Sequence, residues 1–174
     1  DDSFDKIWIG WPGQEITDEW EQESVRRDLE KDGLYPVFLT QRQIEMYYEG
    51  YSNKTVWPHF HYFTQYTDYR DEYWEAYKTV NQQFAEEVIP LIREDDMVWV
   101  HDYQLMLLPA LIREAYPSVS IGFFLHIPFP APELFATLPW QRELALDLCN
   151  YDIVGFQTET DVRQFLTYVD LELG

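Results

Sequence analysis

Basic residues are scarce: the 174-residue chain carries 12 Lys and Arg against 32 Asp and Glu, a formal net charge of −20. Phosphate backbones and anionic bilayers are held by cationic side chains, so this balance argues against a nucleic-acid or membrane partner. Cysteine is nearly absent. The single Cys149 excludes an internal disulfide and fits a reducing, cytoplasmic compartment, and its place in an apolar helical run reads as plain core. Long apolar runs are missing, and none approaches the ~20 residues that span a bilayer. The opening Asp1-Asp2-Ser3 has neither the basic start nor the apolar stretch of a signal peptide. The absent initiator Met and the end at Leu173-Gly174, directly after a helical pattern, read as a piece of something longer.

Several catalytic signatures are also lacking. Gly10-Trp11-Pro12-Gly13 is too short and wrongly spaced for a dinucleotide cradle, and there is no Ser or Cys nucleophile motif. Of the four histidines (His59, His61, His101, His126), His59 and His61 alternate and would face opposite sides of a strand. No Cys cluster or HExxH pattern supports zinc, so no metal and no cofactor are expected. The acidity itself has a plain reading, a solvated surface, and a sharper one, adaptation to high salt. The second predicts a fold that loosens when salt is removed, because self-repulsion is then unscreened.

What the chain does have is enough length for one domain with a real core, a hydrophobic fraction of 46% and an aromatic fraction of 18%. That aromatic content fits a thick core or the lining of a sugar cleft. Short apolar runs at residues 6–11, 34–39, 97–100, 120–125 and 153–156 read as strands, with Pro36 marking the second as an edge or an end. Helical patterns cover residues 19–31, weakly, then 41–51, 70–93, 105–115, 133–137, 142–149 and 161–171. The clearest is 70–93, where Tyr73, Tyr77, Val80, Phe84, Val88 and Leu91 form one apolar stripe until Pro90 bends or ends it. Alternating strand and helix with two-sided apolar strands predicts an α/β fold: a doubly wound, mostly parallel sheet with helices on both faces, in one domain over residues 1–174.

Two strands end abruptly in ionisable residues. VWVHDY (98–103) delivers Asp102, and GFFLHIPFP (122–130) delivers His126 about one βα unit later. In open parallel sheets ligands bind beyond the carboxyl ends of the strands, so Asp102 and His126 are the candidate catalytic pair. Asp102 suits hydroxyl binding or base chemistry, and equally the N-cap of a helix starting near Leu105. His126 suits donation to a hydroxyl or a leaving oxygen, and equally a structural bond to backbone. Trp57-Pro58-His59-Phe60-His61-Tyr62 reads as an aromatic loop after a tyrosine-rich helix, either a hydrophobic plug or a sugar platform served by Tyr48.

Together these pieces resemble the trehalose-6-phosphate synthase family of retaining glycosyltransferases. The resemblance rests on IGWPG (9–13), VWPHFHY (56–62), W-x-x-Y-x-x-V-N-x-x-F-A (74–85), VWVHDYQLMLLP (98–109), IGFFLHIPFPAPE (121–133) and YDIVGFQTETD (151–161), in consistent order over almost the whole chain. It implies a GT-B architecture of two Rossmann-like halves, of which this chain is most of the N-terminal, acceptor-side half. It implies transfer of glucose from a nucleotide sugar, usually UDP-glucose, to glucose 6-phosphate with retained configuration and no metal. On the matching positions, Tyr48 and Trp57 would hold the acceptor phosphosugar and Asp102 its hydroxyls. His126 would contact the transferred glucose, and Trp11 would line the cleft near the donor. An osmoprotective role and a cytoplasmic location go with the family, and association into homo-oligomers is left open.

Three departures qualify the resemblance. The family's first strand, with its arginine and following Gly-Gly loop, would precede Asp1. The donor-side domain, with its Arg/Lys pair for the diphosphate, is missing. Gln104 stands where many members carry histidine. The cations for two anionic substrates must then come from outside this chain, so the isolated fragment is expected to be inactive. Two alternatives stand beside the leading one: a transferase using glycerol 3-phosphate as acceptor, and a non-catalytic sugar-phosphate sensor.

Overall fold

The computed structural model describes residues 6–174. Five strands and eight α-helices follow one another as β1 (Trp8–Gly10), α1 (Glu19–Glu30), β2 (Leu34–Pro36), α2 (Gln41–Gln43), α3 (Trp57–Phe60), α4 (Asp71–Val88), β3 (Met97–His101), α5 (Leu108–Ala115), β4 (Ser120–Phe124), α6 (Pro132–Phe135), α7 (Gln141–Leu148), β5 (Ile153–Gly155) and α8 (Glu159–Glu172). A π-helix, Ile44–Val56, joins α2 to α3, and short 3-10 turns cover Thr64–Tyr66 and Ile89–Leu91. Every strand pairing is parallel. No helix among the described residues is long and apolar enough to cross a membrane.

The expected parallel α/β architecture is present, and among the described residues its strands fall into two sheets rather than one: β1–β2, and β3–β4–β5 in that order. No described strand bridges β1 and β3. Their side chains are open accordingly, with Trp8 62%, Met97 71% and Trp99 45% exposed. The Trp8 ring reaches across to stack on His101, with centroids 6.2 Å apart and planes 13° from parallel.

The helices form where the sequence is locally consistent. Thr40 and Thr158 each make a reciprocal capping box, with Gln43 and Asp161 respectively, which satisfies otherwise orphaned backbone donors. Helix α4 buries Tyr73, Trp74, Tyr77, Val80, Asn81, Phe84, Ala85 and Val88, which takes in the stripe read from spacing as far as Val88 but not Leu91. It yields to a 3-10 turn at Ile89, because Pro90 has no N–H to continue the ladder. Helix α1 buries none of its residues and is fastened to α4 by a bidentate Arg26–Glu87 pair, 2.9 and 3.0 Å.

Most of the aromatic content is core. Phe60, Phe129, Phe135, Phe165 and Tyr168 form one edge-to-face cluster under α3, α6 and α8. Tyr51, Trp74, Tyr77 and Trp140 form a second beneath the π-helix. Each fully buried ring removes enough apolar surface from water to contribute about 1.5–3 kcal/mol. Cys149, expected in the core, is instead exposed at the C-terminal end of α7. The helical run ends there, and position 149 turns outward.

Candidate active site

Strands β3 and β4 lie side by side with His101 opposite Phe124. The Asp102 N–H extends the ladder by one bond, to the Phe124 carbonyl at 2.9 Å. The chain then turns sharply, with Asp102 at φ +72, in the left-handed region that Asp tolerates better than most side chains. The Asp102 carbonyl accepts from the Leu105 N–H at 3.2 Å to close this turn. The Asp102 carboxylate meanwhile accepts from the His126 N–H through Oδ1, at 3.0 Å. The two strand tips singled out in the sequence are therefore in direct contact. The N-cap alternative for Asp102 falls: α5 begins at Leu108 after Leu107, with no side-chain cap. No other hydrogen bond among the described residues reaches this carboxylate, which leaves Oδ2 for a ligand hydroxyl.

The loop after Asp102 is held from below by buried polar groups. Tyr77 Oη donates to the Tyr103 carbonyl (2.8 Å) and accepts from the Met106 N–H (3.0 Å). Asn81 Nδ2 and Tyr47 Oη both donate to the Gln104 carbonyl, each at 3.1 Å. Tyr103 Oη donates to Asn53 Oδ1 at 2.9 Å. Burial among these rings pushes the Tyr47 and Tyr77 phenols far above their usual range and Tyr103 up to about 12, so all three stay protonated donors.

Tyr47 and Asn53 lie on the π-helix, which also carries Tyr48 and leads into Trp57. These last two are nine residues apart. In an α-helix that separation is about two and a half turns, which places them on opposite sides. With i→i+5 bonding a turn takes about 4.4 residues, so the same separation is about two turns and one side. The Trp57 N–H does bond five residues back, to the Ser52 carbonyl. Pro58 removes the next donor of this ladder, and nearby the Lys54 carbonyl accepts from the Asp68 N–H, at 2.8 Å. The helix expected over 41–51 thus runs on to Phe60, and the segment from Trp57 is not the expected loop.

The five candidate residues fall into two contacting pairs and one satellite. The Trp11 ring meets Tyr48 at 5.3 Å, with its indole N–H bonded to the Gln14 carbonyl at 3.2 Å. Asp102 meets His126. Trp57 is 39% exposed, stacked on His61 at 4.0 Å, and is linked to the others through the helix rather than by ring contact. His59, expected to alternate with His61 on a strand, lies on α3 and is buried. Its ring bonds the Tyr69 hydroxyl (2.8 Å) and the Leu134 carbonyl (3.0 Å), and burial depresses its pKa. It is a structural histidine. Among the described residues no cluster of three His, Cys, Asp or Glu side chains could hold a metal.

Two neighbours of His126 were not singled out in the sequence. His101 Nδ1 lies 3.2 Å from His126 Nε2, and Gln157 Nε2 donates to the His126 carbonyl at 2.6 Å. The available signal was position: His101 is the last residue of β3, and Gln157 follows the end of β5.

Parallel strands whose carboxyl ends gather a carboxylate, two imidazoles and flat aromatic faces make this edge the candidate ligand site of an α/β domain. The chain belongs to glycosyltransferase family 20, whose model matches residues 1–171. It is 47% identical over 97% of its length to a bifunctional trehalose-6-phosphate synthase/phosphatase of Thermoproteus tenax, covering 24% of that relative. It superposes on an alpha,alpha-trehalose-phosphate synthase (UDP-forming) of Burkholderia vietnamiensis with a TM-score of 0.85 and 38% identity, over 94% of this chain and 37% of that one. The Burkholderia xenovorans counterpart, in complex with glucose-6-phosphate, gives a TM-score of 0.83 and 36% identity, over 96% and 37%. The chain thus spans between about a fifth and two fifths of the length of these proteins.

Proposed function

We propose that this chain forms the acceptor-side part of an enzyme that transfers glucose from UDP-glucose to glucose 6-phosphate with retention, giving trehalose 6-phosphate. The observation that carries this reading is the Asp102–His126 contact at adjacent strand tips, together with the Trp11–Tyr48 ring pair. In the reaction an acceptor hydroxyl oxygen bonds to the anomeric carbon, and the bond from that carbon to the diphosphate oxygen breaks. The hydroxyl proton passes to the departing phosphate on the same face, so no protein nucleophile is needed. The protein's work is positioning and stabilisation of spreading charge. Asp102 Oδ2 accepts from an acceptor hydroxyl, His126 contacts the transferred glucose, Tyr48 and Trp57 hold the phosphosugar, and Trp11 lines the cleft.

Among the described residues β1 and β3 are both edge strands, and the Trp8 and His101 rings stack between the two sheets, so we assign the space between the sheets to a strand from outside the described residues. Such a strand would merge the two sheets into one doubly wound sheet. With −20 on this chain, the cations that meet two phosphorylated substrates come from other parts of the protein. The test is UDP release and product identity in the full-length protein, with glucose 6-phosphate and glycerol 3-phosphate as competing acceptors. Asp102→Asn is expected to lower kcat at least 100-fold, in line with loss of a positioned group at the reacting centre. Preference for glycerol 3-phosphate, or wild-type turnover in Asp102→Asn, would overturn the reading.

A further inference from the structure

We propose that His101 is a positioning residue that, by donating from Nδ1 to His126 Nε2, locks the His126 ring into a single tautomer. The inference rests on the reading of His126 as the residue facing the transferred sugar. His101 Nδ1 and His126 Nε2 are 3.2 Å apart. Two imidazole nitrogens at that distance bond only when one carries hydrogen and the other does not. Either ring can carry that hydrogen; with it on His101 Nδ1, His126 Nε2 is the acceptor, and in the neutral His126 ring the proton sits on Nδ1, the nitrogen left free for a sugar hydroxyl. Without this partner the two neutral tautomers interconvert, and a fraction of molecules present the wrong role to the substrate.

The surroundings are built to hold the pair. The His101 ring lies near-parallel to Trp8 (6.2 Å, 13°) and edge-on to Trp99 (6.0 Å, 70°). The Trp99 ring in turn lies over Gly122, where any Cβ would collide with it. On the other side the His126 ring packs on Phe124 at 4.7 Å. Its main chain is pinned at both polar atoms, the N–H by Asp102 and the carbonyl by Gln157. Backbone and one ring nitrogen are thus fixed, and the remaining nitrogen is the one free to act.

The experiment compares full-length wild type with His101→Phe, which keeps a flat ring between the tryptophans, and His101→Asn, whose amide nitrogen approximates Nδ1. The readouts are kcat, the KM for each substrate, and the ring ¹⁵N shifts of His126, assigned with His126→Ala. Expected results are one dominant His126 tautomer in wild type, and averaged shifts with about tenfold lower kcat and little change in acceptor KM in His101→Phe. Substantial recovery of both is expected in His101→Asn. Averaged ¹⁵N shifts in the wild type would overturn the proposal without recourse to any variant, as would a wild-type kcat in His101→Phe. If His126→Ala turns over normally, the reading of His126 as a substrate contact fails, while the ¹⁵N shifts still decide whether His101 sets its tautomer.

Discussion

Tyr51 and Tyr77 make a paired test of how the site is supported. Both are fully buried and their rings are 4.4 Å apart, so Tyr→Phe at either leaves the packing of the ring intact. Their hydroxyls differ. Tyr77 Oη spans the loop that follows Asp102, donating to the Tyr103 carbonyl and accepting from the Met106 N–H. Tyr51 Oη is buried with no partner among the described residues. In Tyr77→Phe two buried main-chain groups lose their partner at about 1–3 kcal/mol each, partly offset by about 1 kcal/mol from no longer desolvating a hydroxyl, for a net loss of about 1–5 kcal/mol. In Tyr51→Phe only the orphaned hydroxyl disappears, and the change is neutral or stabilising by up to about 1 kcal/mol. Urea unfolding of the two full-length variants, followed by tryptophan fluorescence, measures both. Because the freed loop carries Asp102, Tyr77→Phe also lowers kcat, and Tyr51→Phe does not. Equal destabilisation by the two substitutions, or a loss below about 1 kcal/mol in Tyr77→Phe, would refute the assignment of the loop's stability to this hydroxyl.

Other consequences follow from the same structure. The Asp147 carboxyl is pushed up to about 7 by burial and then by Glu143, so the folded state keeps its proton over a range where the unfolded chain, near 3.9, releases it. The resulting loss of stability is absent below pH 4, grows through pH 4–7 and is complete above it. Asp147→Asn is thus expected to raise the thermal midpoint by several degrees at pH 8 and to leave it unchanged at pH 4. A Cβ at Gly50 would lie 2.8 Å from two Tyr73 ring carbons and 3.0 Å from the Glu45 carbonyl, inside the helix that aligns Tyr48 with Trp57. Gly50→Ala is therefore expected to destabilise the protein by about 1–2 kcal/mol net of its better helix propensity, and to raise the KM for glucose 6-phosphate more than that for the donor. Finally, if the charge of −20 is an adaptation to high salt, the thermal midpoint rises steeply between dilute buffer and molar salt, and a flat curve refutes that origin.

The tips of β3 and β4 were legible because two signals coincided there: an apolar strand run, and an ionisable residue just past its end. The helix of Tyr48 shows the converse. Its apolar pattern fits an α-helix over 41–51 and then fades, because the buried set in the π-helix includes Ser52 and Thr55, polar residues that a hydrophobic count reads as surface. Tyr48 and Trp57 were each identifiable by motif, but no α-helical or strand spacing puts them on one face. His101 was hidden for a different reason: its importance lies in a partner 25 residues away, across a strand register that only pairing fixes.

The sequence by itself determined the α/β class, the order of elements, the apolar stripe of α4 and the family, since these depend on local periodicity and on motifs that are continuous in the chain. Tertiary structure alone decided that Asp102 is bonded to the His126 main chain rather than capping a helix, and that His59 is walled in while His126 is open. It also decided that the described strands form two sheets and that His101 sets against His126. Each of these is a contact between segments distant in the chain, and a sequence read along its length carries no distance between them.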